Sequence, residues 1–88
     1  MLTKSFVITC PVGLHARPAS ILVSIAEKFK SDITIKYQEK VVPAKSLIGV
    51  MTLGAETGES LDISIAGDDQ DSAMERLEHF FEKELKDL

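Results

Sequence analysis

Residues 13–20 read GLHARPAS and place an imidazole (His15), a guanidinium (Arg17) and a proline (Pro18) within four positions. Imidazole with one unprotonated ring nitrogen is a nucleophile near neutral pH and can accept a phosphoryl group. If His15 stands immediately before a helix, the amides of Ala16 and Arg17 are first-turn donors that no carbonyl within the helix can take. Pro18 suits that first turn, because the N–H it lacks would be unpaired there anyway. Free amides, the positive end of the helix dipole and Arg17 then make an anion-binding corner beside the ring. The chemistry this suits is transient covalent phosphorylation of His15, with the surrounding donors offsetting charge on the arriving and departing group. No Walker-type glycine-rich loop is present to hold a nucleotide, so the phosphoryl donor is another protein or a free small molecule. A histidine that only caps the helix, or only sits on the surface, is the alternative these residues leave open.

Elements of the right kind lie on either side of this segment. TKSFVITC (3–10) is rich in β-branched and aromatic residues and predicts a strand that PVG ends. From Ala16 to Lys30, Ala19, Leu22, Val23, Ala26 and Phe29 recur at spacings of three and four and predict an amphipathic helix. DITIKY (32–37) alternates, and KVV (40–42) reads as its return strand; Gln38 and Glu39 are not tight-turn residues, so a looser turn is expected. KSLIGVMTLG (45–54) predicts a short helix with Ser46 as N-cap and Gly54 as terminator. Leu61, Ile63 and Ile65 mark a half-buried strand, and Ala73, Met74, Leu77, Phe80, Phe81 and Leu85 mark a final helix with an acidic start. The order is βαββαβα. Hairpin-length connections imply a mainly antiparallel sheet with the helices over its apolar face, an α+β sandwich in one domain spanning 1–88.

The 88 residues carry a net charge of −4, which disfavours nucleic acid and anionic membranes as partners. Eight acids against three bases in residues 68–88 leave −5 there and +1 in the remainder, so an anion-handling site belongs in the first part. No apolar run approaches the roughly 18 residues of a membrane span, and the opening lacks a secretory pattern. The lone Cys10 excludes an internal disulfide and reads as a small apolar filler in a reducing, cytoplasmic setting. His15, His79 and Cys10 lack metal-site spacing, so no metal is expected, and His79 reads as a surface or half-buried helix residue. Leu47, Ile48 and Met51 can share one face of the short helix, either in the core or as an exposed docking patch; in the second case Val50 and Leu53 are the inward pair.

GLHARPAS and KSLIGVMTLG, about thirty residues apart in a chain of this length and element order, resemble the two motifs of HPr, the histidine-containing phosphocarrier proteins of the bacterial phosphoenolpyruvate-dependent sugar phosphotransferase system. The resemblance runs over essentially the whole chain. It implies an open-faced β-sandwich, with a four-stranded antiparallel sheet covered on one side by three helices. It implies a cofactor-free carrier, not an enzyme in its own right, in which His15 takes phosphate from enzyme I and passes it to sugar-specific enzyme IIA domains. Ala16 and Arg17 would bind the phosphoryl group. Ser46 matches the regulatory serine of Gram-positive members, the target of the HPr serine kinase/phosphorylase. Its phosphorylation lowers transfer from enzyme I and promotes binding to a catabolite-control transcription regulator in that family. The resemblance also favours Leu47, Ile48 and Met51 as an exposed contact for partners, and a monomer is the default for a carrier that docks with several proteins in turn. Val12 departs from the pattern, since a hydroxyl-bearing residue is common there. That loss of one donor keeps open a second reading, a regulatory module acting mainly through Ser46.

Overall fold

A computed structural model describes all residues, 1–88. Strand β1 (Leu2–Val7) is followed by α1 (Ala16–Glu27), the hairpin β2 (Asp32–Tyr37) and β3 (Lys40–Pro43), α2 (Leu47–Thr52), β4 (Ser60–Ala66) and α3 (Gln70–His79). A π-helical turn (Phe80–Glu84) and a 3₁₀ turn (Leu85–Asp87) complete the chain. The four strands form one antiparallel sheet in the order β1-β4-β2-β3. Phe6 opposes Leu61, Ile33 opposes Ile65 and Ile35 opposes Ile63, so period-two alternation puts all six on the same buried face. The helices pack over that face. On the other face Thr3 opposes Ser64 with their hydroxyls 3.0 Å apart, and Ser5 donates its hydroxyl to Asp62. That division, apolar inside and polar outside, is what an antiparallel sheet covered on one side requires.

The predicted strands and helices are all present, and four of their details differ. β1 stops at Val7, short of Cys10, because its partner β4 begins only at Ser60; Ile8 continues the contact through two bonds to the loop before β4, Ile8 N–H to Glu59 O and Gly58 N–H to Ile8 O, both 2.8 Å. α1 ends at Glu27, earlier than Lys30, where Lys28 and Phe29 close a tightened last turn onto Ile25 and Ala26. Phe29 is consequently only half-buried, while Ile25 joins the core.

The turn between β2 and β3 is tight where a looser one was expected. Tyr37 pairs directly with Lys40, leaving two residues in the loop, and Gln38 adopts φ +56°. A side chain compensates: Gln38 Nε2 donates to Tyr37 Oη at 3.2 Å.

The final helix is interrupted. Leu85 N–H reaches Phe80 O, five residues back, in a π-helical turn. The added residue lets two consecutive aromatics both face inward, with Phe80 fully buried and Phe81 nearly so. Phe81 stacks on Phe6 at 4.6 Å and meets Phe80 edge-on at 5.2 Å. On the outside of the turn, Glu84 takes both guanidinium nitrogens of Arg76 (2.8 and 3.3 Å) and Nδ1 of His79 (2.6 Å).

Asp69 occupies the N-cap of α3 but its carboxylate is used elsewhere. It accepts the amides of Lys30 and Ser31 at 2.8 and 2.9 Å and the Ser31 hydroxyl, tying the α1–β2 connection to the β4–α3 connection. Gly67 permits this approach, since a Cβ there would lie 2.7 Å from Ser31 Cα. The Ser31 hydroxyl, then the Lys30 amide, hold the Asp69 carboxyl below its ordinary value of 3.8. A depressed folded-state value means the charged form is favoured by folding, so this stability is present above about pH 4 and is lost as pH falls through the folded-state value. In acid titrations followed by circular dichroism, Asp69→Asn is expected to be less stable than the parent at neutral pH and to lose less stability below pH 4. Parallel acid limbs for the two proteins would contradict this role.

Candidate functional site

The connection from β1 to α1 is shaped by its own backbone bonds. Gly13 N–H closes a turn onto Cys10 O at 3.1 Å, with Gly13 at φ +76°, a conformation that favours glycine. Leu14, 4% exposed, anchors the segment in the core, and Pro18 and Ala19 anchor the helix that follows. Between these anchors His15 and Arg17 are exposed.

His15 is the N-cap of α1, with extended backbone (φ −85°, ψ −169°) and an imidazole that makes no capping bond. The imidazole therefore does not cap the helix with a hydrogen bond of its own. The N–H positions from His15 to Ala19 at this helix start can be fully accounted for. His15 N–H bonds Gly13 O at 3.0 Å, Pro18 has no N–H, and Ala19 N–H already reaches His15 O at 2.9 Å. Only the amides of Ala16 and Arg17 are left without an intrahelical acceptor. The first turn of α1 holds no acid, and Arg17 takes no part in the four ion pairs, which join Lys4 to Glu78 and Glu82, and Glu84 to Arg76 and His79. Two amides, an unpaired guanidinium and an uncommitted imidazole thus share one exposed helix end. Val12 beside them is 57% exposed and offers no hydroxyl.

This corner is an open surface. The molecule's two concavities lie elsewhere, the larger of about 540 Å³ along α3 around Arg76 and His79, and the smaller beside β1 around Phe6 and Phe81. Neither is lined by His15.

Ser46 is the N-cap of α2, and its Oγ accepts Gly49 N–H at 3.0 Å. α2 packs beside α1. Val50 and Leu53 point inward at 0% and 1% exposure, while Leu47, Ile48 and Met51 are 39%, 77% and 44% exposed. The alternative that placed these three in the core is thereby removed. Ser46→Ala removes the cap and is expected to cost about 1 kcal/mol in denaturant unfolding, whereas Ser46→Asp, also a good N-cap, is expected to stay within a few tenths of the parent. Equal losses in the two variants would show that the cap is not what stabilises α2.

Cys10 is fully buried and its thiol donates to Leu88 O at 3.4 Å, in keeping with a filler. His79 is exposed, one of the two placements read from sequence, and is held by Glu84. Residues 55–59 form the floor beneath the His15 segment. Ala55 O accepts Leu14 N–H at 3.1 Å, and Thr57 Oγ1 donates to Cys10 O at 2.6 Å. Sequence reasoning missed this loop, because its only local signal is a Gly and Thr composition typical of any connection.

The family model described as the PTS HPr component phosphorylation site matches residues 2–83. The chain belongs to the HPr phosphocarrier family. Among solved structures, an HPr from Thermoanaerobacter tengcongensis is 39% identical with a TM-score of 0.89, covering 93% of this chain and 92% of that one. The histidine-containing phosphocarrier protein of a mycoplasma is 40% identical with a TM-score of 0.88, over 96% of this chain and 97% of that one. Crh, a catabolite-repression protein of Bacillus subtilis, is 33% identical with a TM-score of 0.75, over 97% and 98%. The sheet and three helices of the HPr fold are those described above. No helix is long and apolar enough to cross a membrane.

Proposed function

We propose that this HPr-family protein carries a phosphoryl group on His15, accepting it from enzyme I and delivering it to enzyme IIA domains of the sugar phosphotransferase system. The observation that carries this reading is the helix start at which the His15 imidazole has no bond and the Ala16 and Arg17 amides have no intrahelical acceptor, with the exposed, unpaired Arg17 two residues on. An unprotonated ring nitrogen attacks phosphorus; the N–P bond forms as the bond to the donor's leaving group breaks, and the electron pair leaves with that group. The amides and Arg17 offset the charge on the peripheral phosphoryl oxygens. Delivery is the same step in reverse, with imidazole as the leaving group. The protein itself returns unchanged, and the chemistry is completed by its partners in the cytoplasm.

Ser46 is the regulatory site in this reading. A phosphate there would carry about −1.5 to −2 charges next to the exposed Leu47, Ile48 and Met51, altering the surface on which partners dock. The modifying enzyme is the HPr serine kinase/phosphorylase, and the modified form is offered to a catabolite-control transcription regulator. A second reading, a regulatory module with little transfer through His15, draws on the absence of a hydroxyl at Val12 and on the likeness to Crh.

Phosphorus NMR after separate treatment with phosphoenolpyruvate plus enzyme I, and with ATP plus the serine kinase, tests both. An acid-labile phosphohistidine signal in the first sample and a phosphoserine signal in the second are expected. Phosphoserine alone, with active enzyme I present, would favour the regulatory module; neither signal would overturn both readings.

A further inference from the structure

Between Val7 and His15 the chain has no regular structure, so the position of the imidazole depends on what lies behind that segment. Residues 55–59 lie there, and four bonds join the two stretches: Ile8 N–H to Glu59 O, Gly58 N–H to Ile8 O, Thr57 Oγ1 to Cys10 O and Leu14 N–H to Ala55 O. Contact is close enough that a Cβ on Gly13 would sit 3.2 Å from Ala55 O and 3.4 Å from Glu56 Cα. Residues 55–59 are themselves irregular and are shaped by a single carboxylate. Glu59 Oε1 accepts the Tyr37 hydroxyl at 2.5 Å and the Glu56 amide at 2.8 Å, while Glu59 N–H returns to Glu56 O at 3.0 Å. Tyr37, 7% exposed, stands at the end of β2, and Gln38 donates to the same phenol oxygen.

We propose that Tyr37 and Glu59 are positioning residues for phosphoryl transfer: through residues 55–57 they hold the segment that presents His15 at a fixed place on the sheet. The inference rests on His15 being the phosphoryl acceptor. Charge and protonation agree with the geometry. The bond to Glu59 pushes the Tyr37 hydroxyl up to about 12, and the Tyr37 hydroxyl in turn holds the Glu59 carboxyl below its usual range, so the pair stays a phenol donating to a carboxylate throughout the neutral range. Sheet, carboxylate, loop and His15 segment thus form one bonded series. Loosening it spreads the imidazole over more orientations, and only a fraction of them are aligned for in-line attack.

The test uses Tyr37→Phe, Glu59→Ala and Glu59→Gln in the full chain, with enzyme I as catalyst and each variant as its phosphoryl acceptor. None of the three touches Arg17 or the exposed face of α2, so KM should stay within about twofold. In Tyr37→Phe and Glu59→Ala, kcat should fall about threefold to tenfold, a fraction of the roughly hundredfold loss that an ångström of misplacement can cause. Exchange of the Leu14 amide should accelerate more than the change in global stability accounts for. Glu59→Gln keeps an oxygen able to take both donors and should restore most of kcat. A rise in KM with kcat unchanged, or Leu14 exchange that only follows global stability, would overturn the proposal. If the parent protein itself takes no phosphate on His15, the functional reading fails, and Leu14 exchange in Tyr37→Phe alone then decides whether the pair braces the segment.

Discussion

His15→Ala yields a folded protein that takes no phosphate from enzyme I. The ring is exposed and, although His15 is the N-cap of α1, makes no capping bond, so its removal forfeits no hydrogen bond and should change stability by less than about 0.5 kcal/mol. Its loss removes the only candidate nucleophile at the helix start, since Ser20 lies on the exposed face one turn further on and Cys10 is fully buried. Acceptance should therefore fall to background, with no partial activity. Mass spectrometry after incubation with phosphoenolpyruvate and enzyme I reads this directly: the parent gains one phosphoryl mass that is lost in acid, and the variant gains none. An acid-labile phosphate on the variant would place the acceptor elsewhere.

The largest expected effect on stability is at the other end of the chain. Phe80→Ala should cost about 3–5 kcal/mol, because the ring is fully buried and its removal leaves a cavity beside Phe81. Against a total of roughly 5–15 kcal/mol for a small protein, such a loss leaves little. In thermal unfolding the midpoint should drop by about 12 °C or more, taking about 4–8 °C per kcal/mol for a chain of this size. Glu84→Ala provides the contrast. The Arg76–Glu84 pair is bidentate but about one-third exposed on each side, and solvent-exposed pairs contribute about 1 kcal/mol or less. If Glu84→Ala proved as costly as Phe80→Ala, the charged cluster and not the aromatic pair would be what stabilises the π-helical turn.

These two sites differ in how far they could be read from sequence, and the difference is physical. The α1 start was legible because its determinants are neighbours in the chain: an extended residue, two amides and a proline in order. The Ser46 cap was legible for the same reason. The buried set of α3 was legible through its spacing, yet its π-helical turn was not, because the turn depends on Phe81 meeting Phe6 of β1, some seventy-five residues away. The Gln38–Glu39 turn was misjudged because its stabilising partner is the Tyr37 phenol, whose place follows from the fold. Asp69 has the residue type of an N-cap and occupies that position, but spends its carboxylate on Lys30 and Ser31. Leu47, Ile48 and Met51 stayed ambiguous because a six-residue helix has too few turns to define a face.

On the proposed role, a phosphoryl group on His15 would be supported by one guanidinium and two amides with no concavity around it, open to water as well as to proteins. Once loaded, it begins to leak. At about 1 μM partner and association rates of about 10⁵–10⁷ M⁻¹s⁻¹, the next protein arrives in roughly 0.1–10 s. A loaded lifetime of minutes would already make spillage a small tax on each delivery, and a deeper cradle would lengthen storage at the expense of release. On that proposed role, the bareness of this helix end suits a courier whose cargo is handed on quickly better than a reservoir.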